Sequence, residues 1–485
     1  MGNEDGLALP TTALGWAAAF RDGSSTPSDA VEYYLERVVE LDATVGAFVR
    51  VTSDQAREAA AAATQRWKTG RPMSRLDGVP TAIKDLASTK GIETNFGSAV
   101  MRGHIPEFSD EVVLRIEAAG MVSLGKTNTP EFGSPCYTEP EVAPPARTPY
   151  DLNRSAGGSS GGAAAAVASG LVPVAHASDG GGSIRIPASV CGLVGFKPSR
   201  GRVSSAPIYG DVTGLSTSGP MAATVRDSAA FLDVMAGPAA TDAVWAAAVP
   251  DGASYLDWCE RDPGRLRIAR FDTPMISAAA VDPEVATTYE AMTHRLVALG
   301  HDISEVPVPF GPELVPVFET VWSVMAASWP LSPQQERALR PLTSWLRGRG
   351  RTISGPEFSG AMVEMRQAAA RALAVLAQYD VVLTPTLARP PVLVGELRND
   401  DDPAADFEAQ KAFTPYTAAW NVTGMPAVSL PTGWTSSGLP IGTMLAGKPG
   451  LDHRLYALAA QVEASIEPGL RGWSRPPLPL SGQLW

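Results

Sequence analysis

The sequence predicts a single large α/β domain in which a central, mixed, mostly parallel twisted sheet is covered by helices on both faces. Short apolar segments alternate with amphipathic segments along the chain, as in sheets that carry helices on both sides. Hydrophobic residues make up 45% of the 485 residues and charged residues 19%, which is typical of an ordinary globular protein. We find no internal repeat and no clean linker, and this favours one domain over several.

The amino-terminal part of the chain predicts helices separated by short strands. Residues 26–41 carry apolar side chains at helical spacing, and a Thr-Pro-Ser segment precedes them as a cap. Similar patterns predict helices at 52–69 and 110–119 and strands at 81–84 and 121–128. Residues 132–156 are rich in proline and polar residues, so we expect a loop with a functional role.

A glycine-rich stretch from Gly157 to Pro187 contains two serine clusters, at Ser159-Ser160 and at Ser183. Glycine at this density is costly in backbone entropy, and it is tolerated where the chain turns sharply or approaches a ligand. The GGSSGG segment leads into an alanine-rich helix, which places Ser159–Gly162 at a helix N-terminus that favours negative charge. The segment LVPVAHAS then predicts a buried strand, which a flexible Gly/Ser linker would not contain.

The pattern is looser in the second half of the chain. It predicts helices at 224–237, 281–300, 314–330, 355–378 and 451–466, strands at 265–270 and 380–386, and a strand pair around a turn at 432–438. Residues 396–406 are charged and contain proline, so we expect an exposed loop. Trp322 is compatible with either a pocket cap or the core, whereas the core is the favoured place for Trp329.

Charge and composition exclude several classes of function. A net charge of −12 argues against nucleic acid and anionic membranes as partners, because both require basic patches. No apolar run approaches the roughly 20 residues of a spanning helix, and the start MGNEDGLALP lacks the regions of a signal peptide. We therefore expect a cytoplasmic protein. Cys136, Cys191 and Cys259 are too scattered for a disulfide framework or a zinc site, and no motif indicates a metal or a cofactor.

Lysine is scarce in this chain. Only seven of the 39 basic residues are lysines. The lysines that remain are candidates for positions where a guanidinium would fail, such as a proton-accepting amine. Lys84, at the end of a predicted strand, is one of them.

Two familiar hydrolase motifs occur in the wrong context. Residues 157–161 satisfy the G-x-S-x-G pattern, but a polar loop precedes them where that motif requires a strand. Ser123 and Lys126 satisfy S-x-x-K, but the companion K-T-G lies upstream, at 68–70, when it should lie downstream. Neither motif predicts the reaction of this chain.

Several longer segments resemble the amidase signature family of serine hydrolases. They are GVPTAIKD (78–85), GKTNTPEF (125–132), SAGGSSGGAAAAVASG (155–170), SDGGGSIRIPASVCGLVGFKPSRGR (178–202) and WNVTGMPAVSLP (420–431). The block from 155 to 202 is very specific, and the 24-residue spacing from Ser159 to Ser183 is also that of the family. The resemblance implies the amidase signature fold for the whole chain.

The resemblance assigns a catalytic role to three residues. Lys84 matches the catalytic lysine, Ser159 the bridging serine that follows a cis peptide bond, and Ser183 the nucleophile. The backbone N–H groups of Gly180, Gly181, Gly182 and Ser183 match the oxyanion loop. Many relatives have threonine where this chain has Gly180, which keeps the N–H group but leaves open what a side chain there would have held.

Elementary chemistry supports this assignment. A serine hydroxyl needs a base within hydrogen-bond reach, and a lysine serves as that base only when burial lowers its pKa by about three units. A neighbouring carboxylate would cancel this effect. Because side chains alternate along a strand, Asp85 should point away from Lys84, and we predict a buried Lys84 without an ion pair to Asp85.

Further residues receive roles from the resemblance. Asp179 and Arg185 should brace the glycine loop. The segment Phe132–Tyr137 should line the acyl pocket, which makes Ser134, Cys136 and Tyr137 candidates for substrate contact. His176 is expected to be a strand histidine without a catalytic role.

The predicted domain covers residues 1–485 and has three parts. A catalytic core spans about 60–235, a helical substrate-shaping region about 240–380, and C-terminal strands and a helix return to the core over about 380–470.

The expected function is hydrolysis of a small-molecule amide through an acyl-enzyme on Ser183, without metal or cofactor, giving an acid and an amine or ammonia. The sequence of residues 179–202 most resembles that of stand-alone bacterial amidases, including the branch of the 6-aminohexanoate cyclic-dimer hydrolases. Two alternatives stay open, namely the amidase subunit of a glutamine-dependent tRNA amidotransferase and an inactive binding protein on the same scaffold. A homodimer is also left open.

Overall fold

A computed structural model describes residues 9–466 of the chain. The first eight residues, on which the expectation about a signal peptide largely rests, lie outside the described residues, as do both limits of the predicted 1–485 domain.

Helices and strands alternate through the described residues. The helices are α1 (Ala13–Asp22), α2 (Pro27–Val45), α3 (Ser53–Lys68), α4 (Glu111–Ala118), α5 (Gly161–Ala168), α6 (Arg185–Val190), α7 (Val225–Met235), α8 (Tyr255–Trp258), α9 (Pro283–Ala298), α10 (Leu314–Ala327), α11 (Pro333–Glu336), α12 (Pro341–Thr352), α13 (Gly355–Leu376), α14 (Pro403–Phe413), α15 (Ala419–Thr423) and α16 (Asp452–Ser465). The strands are β1 (Phe48–Val51), β2 (Pro80–Lys84), β3 (Val122–Thr127), β4 (Val174–Asp179), β5 (Val194–Lys197), β6 (Thr217–Ala222), β7 (Arg267–Arg270), β8 (Asp302–Glu305), β9 (Val381–Pro385), β10 (Ala427–Trp434) and β11 (Pro440–Gly447).

The strands form a large mixed sheet and a small one. The large sheet has eight strands in the order β4-β6-β5-β10-β11-β9-β7-β8, and the small sheet has the order β1-β3-β2. The predicted α/β fold with a mixed sheet flanked by helices is confirmed.

The expectation of a mostly parallel sheet is wrong. Within residues 9–466, only the β9–β7 and β7–β8 pairs of the large sheet are parallel, and its other neighbouring pairs are antiparallel. Strands β4 and β5 run in the same direction on either side of a helix in sequence, but the later strand β6 inserts between them and runs opposite to both. The alternation of helices and strands does not reveal such an insertion, because it depends on non-local pairing.

Both faces of the large sheet are buried against helices. Successive residues of the central strands belong to two different core clusters. In β10, Val428 packs in the first cluster and Ala427 in the second; in β11, Leu445 packs in the first and Met444 in the second. The first cluster includes side chains of α7, α9 and α16, and the second includes side chains of α10, α13 and α15. This alternation is the two-residue period of a strand.

Most predicted elements occur close to their predicted bounds, but residues 396–406 are not simply an exposed loop. Helix α14 begins at Pro403, and the side chain of Asp402 caps it by accepting from the N–H of Ala405. Asp406 is 1% exposed. A cap residue followed by proline at the first helical position is a helix-start signal, which the charge of this segment obscured.

None of the helices between residues 9 and 466 is long and apolar enough to cross a membrane. The same residues contain no group of three or more His, Cys, Asp or Glu side chains arranged to hold a metal ion.

Candidate active site

Lys84 ends strand β2 and is completely buried. Its Nζ atom lies 2.8 Å from the Oγ of Ser159 and 3.1 Å from the Oγ of Ser178. Within residues 9–466 it forms no ion pair with a carboxylate. The sequence prediction of a buried Lys84 is therefore confirmed.

Burial lowers the pKa of Lys84 to about 7, against the smaller opposing effect of the Asp179 carboxylate. Asp85 points away, and its Oδ1 lies 3.9 Å from the Nζ of Lys126. The predicted absence of a Lys84–Asp85 ion pair is confirmed, and it follows from side-chain alternation at the end of β2. Close to half of the Lys84 side chains are thus neutral amines near pH 7.

His176 in β4 packs against the backbone of Lys84. Its Nδ1 accepts a hydrogen bond of 3.3 Å from the Lys84 N–H, so its Nε2 carries the proton and donates to Ser218 Oγ at 3.1 Å. Burial, together with the nearby Lys84 and Lys126 amines, lowers the pKa of His176 to about 3. This histidine is therefore neutral at physiological pH and adds no positive charge to the site.

Ser159 follows a cis peptide bond, Gly158–Ser159, just before helix α5 begins. Its hydroxyl meets the Lys84 amine, and its carbonyl accepts a 3.0 Å hydrogen bond from Thr129 Oγ1. A Cβ atom on Gly158 would lie 2.7 Å from the backbone nitrogen of Tyr137, so only glycine fits there.

Ser183 joins the second glycine cluster to the first. Its carbonyl accepts a 3.2 Å hydrogen bond from the Ser160 N–H, which brings the two serine-bearing segments side by side. The residue is half-buried and lines a cavity. Within the described chain, the structure records a hydrogen bond between Lys84 and Ser159, but none to the Ser183 hydroxyl.

A buried carboxylate holds the glycine loop together. Asp179 accepts from the N–H groups of Gly182 (2.7 Å) and Ile184 (3.1 Å), and both of its oxygens accept from the Arg185 guanidinium at 2.9 and 3.0 Å. Burial alone would raise the pKa of Asp179, but Arg185 and Lys197 outweigh it and keep that pKa well below its usual range. The Gly182 N–H is consequently occupied, whereas the N–H groups of Gly180, Gly181 and Ser183 are not used by this carboxylate.

Gly180 occupies the position where many relatives carry threonine. A Cβ atom there would lie 3.1 Å from Ser216 Oγ and 3.5 Å from the Trp322 ring. Such a Cβ atom would be in ordinary contact with Trp322, and only the Ser216 hydroxyl would have to shift slightly.

We expect Arg185→Met to destabilise the fold by about 3–5 kcal/mol, because it leaves the Asp179 carboxylate buried without its cation. Denaturant unfolding measures this change in the free energy of unfolding. Arg265→Met is the matched control, since its ion pair with Asp302 is largely exposed and should contribute little to stability. Equal effects of the two substitutions would contradict a bracing role for Arg185.

The cavity beside Ser183 lies between α10 and α14 and, counted together with its opening to solvent, has a volume of about 630 Å³. Each helix contributes side chains at positions i, i+3, i+4 and i+7, which share one helical face. They are Val315, Phe318, Glu319 and Trp322 on α10, and Phe407, Gln410, Lys411 and Thr414 on α14. The cavity is completed by Gly181, Ser183, Ile186, Ile276, Ala418 and the segment 134–136.

The three predicted substrate-contact residues do not all reach this cavity. Ser134 and Cys136 line it, and the N–H of Cys136 donates to Gln410 Oε1 at 2.9 Å. Tyr137 is not among the lining residues, because its hydroxyl donates to Asp406 Oδ2 at 2.6 Å. This side chain ties the loop to α14, and substrate contact by Tyr137 stays a prediction.

The two tryptophans also differ. Trp322 lines the cavity, whereas Trp329 lies beyond the end of α10 and packs against Phe96 and Phe132 without being fully buried. The core interpretation of Trp329 is wrong.

Sequence reasoning missed the contribution of α14 to the cavity. Two signals were present, namely the helical spacing of Phe407, Gln410, Lys411 and Thr414, and the presence of one of only seven lysines at position 411. Their proximity to Ser183 was not visible, since more than 220 residues separate them along the chain.

Comparison with known proteins agrees with the fold and with the sequence motifs. The sequence profile of the amidase family matches residues 29–456. The chain is 34% identical to the 6-aminohexanoate-cyclic-dimer hydrolase of Paenarthrobacter ureafaciens over 479 residues, covering 94% of each protein. It is 32% identical to a glutamyl-tRNA(Gln) amidotransferase subunit of Myxococcus xanthus over 480 residues, covering 93% of this chain and 96% of that protein. A solved structure of 6-aminohexanoate cyclic dimer hydrolase superposes with a TM-score of 0.87 at 31% identity, covering 98% of this chain and 99% of the other.

Proposed function

The chain belongs to the amidase signature family of amide-hydrolysing enzymes, and from this premise we propose that it cleaves its substrate through an acyl-enzyme on Ser183, with Ser159 and Lys84 as proton carriers. The observation that carries the proposal is the buried Lys84 amine. It lies 2.8 Å from the Ser159 hydroxyl, has no carboxylate partner among the described residues, and has a pKa of about 7.

The proposed reaction begins with attack of the Ser183 Oγ on the amide carbonyl carbon. The Ser183 proton passes to the Ser159 oxygen while the Ser159 proton passes to the neutral Lys84 amine. The carbon–nitrogen bond then breaks, and the proton returns along the same path to the leaving amine or ammonia. Water, deprotonated by the same relay, attacks the ester on Ser183, releases the acid and restores the serine hydroxyl.

For this proton transfer, a hydrogen bond between the Ser183 and Ser159 hydroxyls must form when the substrate binds. Catalytic hydrogen bonds are often long or poorly aligned in enzymes without substrate and shorten in the complex. The backbone hydrogen bond between Ser160 and Ser183 supports this step, because it already holds the two segments side by side.

The negative charge that develops on the carbonyl oxygen needs fixed N–H donors. We assign this role to the backbone N–H groups of Gly180, Gly181 and Ser183. Gly182 is left out of the assignment because its N–H already donates to Asp179 at 2.7 Å. One such donor is worth roughly 3–4 kcal/mol of transition-state stabilisation, so the bracing of this loop by Asp179 and Arg185 is an essential part of the proposal.

The three parts of the predicted domain receive matching roles. Residues 60–235 contain Lys84, Ser159 and Ser183, and we assign catalysis to them. Residues 240–380 contribute the α10 wall of the cavity, and residues 380–470 contribute its α14 wall. We therefore extend the substrate-shaping role, first assigned to the middle region alone, to α14.

The substrate is proposed to be a small-molecule amide whose acyl part enters the cavity beside Ser134 and Cys136. The position of the cavity between two helices and its mostly apolar lining support a small molecule over a macromolecule. A solved relative is a 6-aminohexanoate cyclic dimer hydrolase complexed with its substrate, and that cyclic dimer is one probe to test. We propose a cytoplasmic location for this activity.

The two alternatives make different predictions. A tRNA amidotransferase subunit would hydrolyse little as an isolated chain and would co-purify with its partner protein. An inactive binding protein would have no need for a buried lysine that bonds to Ser159 and has no carboxylate partner among the described residues.

Trapping of the acyl-enzyme tests the proposal directly. The enzyme is mixed with an aryl amide or with the cyclic dimer, quenched in acid, digested and examined by mass spectrometry. The expected result is an acyl group on the peptide that contains Ser183. Acylation of another residue, or turnover of these amides without any acylated peptide, would refute the assignment.

We expect kcat/KM to rise about tenfold per pH unit below pH 7 and to level off above it. Neutral Lys84 is the active form, and burial places its pKa at about 7. The measurement is a pH–rate profile with a neutral aryl amide from pH 5 to 10. Burial also lowers the pKa of Lys197 to about 7, so Lys197→Met is the control. If the inflection near pH 7 vanished in Lys197→Met, it would have to be assigned to Lys197 and not to Lys84.

A further inference from the structure

A chain of four alternating charges crosses the cavity. Glu319 on α10 lies 2.5 Å from the Nζ of Lys411 on α14, and its other oxygen accepts from Arg349 at 3.1 Å. Lys411 also contacts Glu408 at 2.6 Å. The two central side chains are 15% and 12% exposed, whereas Arg349 and Glu408 lie further out.

Glu319 and Lys411 are the only charged side chains that line this cavity within residues 9–466. The nearby polar groups are already engaged: Gln410 accepts from the Cys136 N–H and donates to Asp406, and the Thr414 hydroxyl donates to the Gln410 carbonyl. The remaining wall consists largely of Phe318, Trp322 and other apolar side chains. A ligand that extends from Ser183 along this wall therefore meets the Glu319–Lys411 pair as its one charged feature among the described residues.

Both central residues have unused hydrogen-bonding capacity. An ammonium group has three donors, and Lys411 uses two of them. A carboxylate has about four acceptor sites, and Glu319 uses two. The pair can therefore offer one donor and one acceptor to the same ligand while its own contacts stay intact.

We propose that Glu319 and Lys411 are specificity residues that bind an uncharged primary amide (–CONH₂) at the far end of the acyl part of the substrate, separated by an apolar spacer from the amide that is cleaved. The carbonyl of this primary amide accepts from Lys411, and the N–H on the same side of the group donates to Glu319, since the two partners are adjacent in the ion pair. This inference rests on the proposed function, because it places the acyl chain in the cavity beside Ser134 and Cys136.

The balance of charge explains the preference for an uncharged group. The four-residue chain is neutral as a whole. A terminal carboxylate on the substrate would approach Lys411 but also face Glu319 and Glu408. A terminal ammonium would approach Glu319 but face Lys411 and Arg349. An amide dipole matches both central residues without adding a charge to a largely buried wall.

The test uses four p-nitroanilides of similar acyl length, with ω-carbamoylhexanoyl, nonanoyl, ω-aminohexanoyl and ω-carboxyhexanoyl groups. Their affinity is measured by titration calorimetry on Ser183→Ala, so that binding does not require turnover. We combine this substitution with Glu319→Met or Lys411→Met. Glu313→Met is the control, since Glu313 lies just before α10, is exposed and does not line the cavity.

Each cavity substitution is expected to weaken binding of the carbamoyl compound about tenfold, as for loss of one charge-assisted hydrogen bond. Binding of the nonanoyl compound should change less than about twofold, since it makes no such bond. Lys411→Met should improve binding of the amino compound relative to the carboxy compound, and Glu319→Met should do the reverse. A merely structural role would weaken all four ligands alike, and that result would overturn the inference.

Turnover by the enzyme with Ser183 intact separates this inference from the proposed function. Hydrolysis of all four anilides without the expected pattern of affinities would refute the specificity role alone. The expected pattern of affinities without any release of p-nitroaniline would leave the specificity role in place and refute the proposed reaction.

Discussion

Ser183→Ala is expected to lower kcat for an aryl amide by about a million-fold, as loss of the nucleophile does in other serine hydrolases. The substituted chain keeps its cavity and its glycine loop, so substrate should still bind. The measurement combines steady-state release of the arylamine with labelling by a fluorophosphonate, which reacts only with an activated serine. No label should be incorporated.

Ser216→Ala is the matched control for this experiment. Ser216 is exposed and lies beside Gly180, but it has no place in the proposed relay. The Ser216→Ala variant should react with the fluorophosphonate at the normal rate. Persistent labelling of Ser183→Ala would show that another residue is the nucleophile.

Replacement of Lys84 is expected to have the second largest effect, a fall of about 10⁴-fold in kcat at pH 7 for Lys84→Met, the upper range for loss of a general base. Methionine retains the length and apolar stem of lysine, so the buried site stays filled. Rates measured from pH 6 to 10 should no longer show the inflection near pH 7.

Lys84→Arg separates a proton carrier from a simple positive charge. A guanidinium keeps the charge but does not lose its proton in proteins, so it cannot act as the base. The arginine variant should be about as inactive as the methionine variant. Recovery of activity with arginine would mean that Lys84 acts through its charge, and the relay would have to be abandoned.

Local features of the site could be predicted because they depend on short-range geometry. A strand that ends in Lys84-Asp85 directs the two side chains apart, so separation of the lysine from the carboxylate follows from the two-residue period of a strand. The glycines around Ser159 and Ser183 similarly indicate a backbone under close contact. At Gly158, a Cβ atom would collide with the chain at Tyr137.

Other features could not be predicted because they depend on contacts between distant segments. The Gly182 N–H is occupied by a carboxylate only three residues away, yet Asp179 is held in place by Arg185 and Asn421, and Asn421 is 242 residues from Asp179. The family resemblance predicts that Tyr137 lines the pocket, but it does not reveal the hydrogen bond to Asp406, which is 269 residues away along the chain. Spacing along the chain carries no signal for such pairs.

The amino-acid sequence by itself determined the α/β class, the positions of most helices and strands, and the identity of the candidate nucleophile, bridge and base. These properties follow from local periodicity and from motifs within single segments. Only the tertiary structure decided that most neighbouring strands of the large sheet are antiparallel, that α14 faces α10 across the cavity, and that Glu319 meets Lys411 there. These depend on which distant segments pack together, and burial of apolar surface, which is not directional, selects that packing only when the whole chain folds.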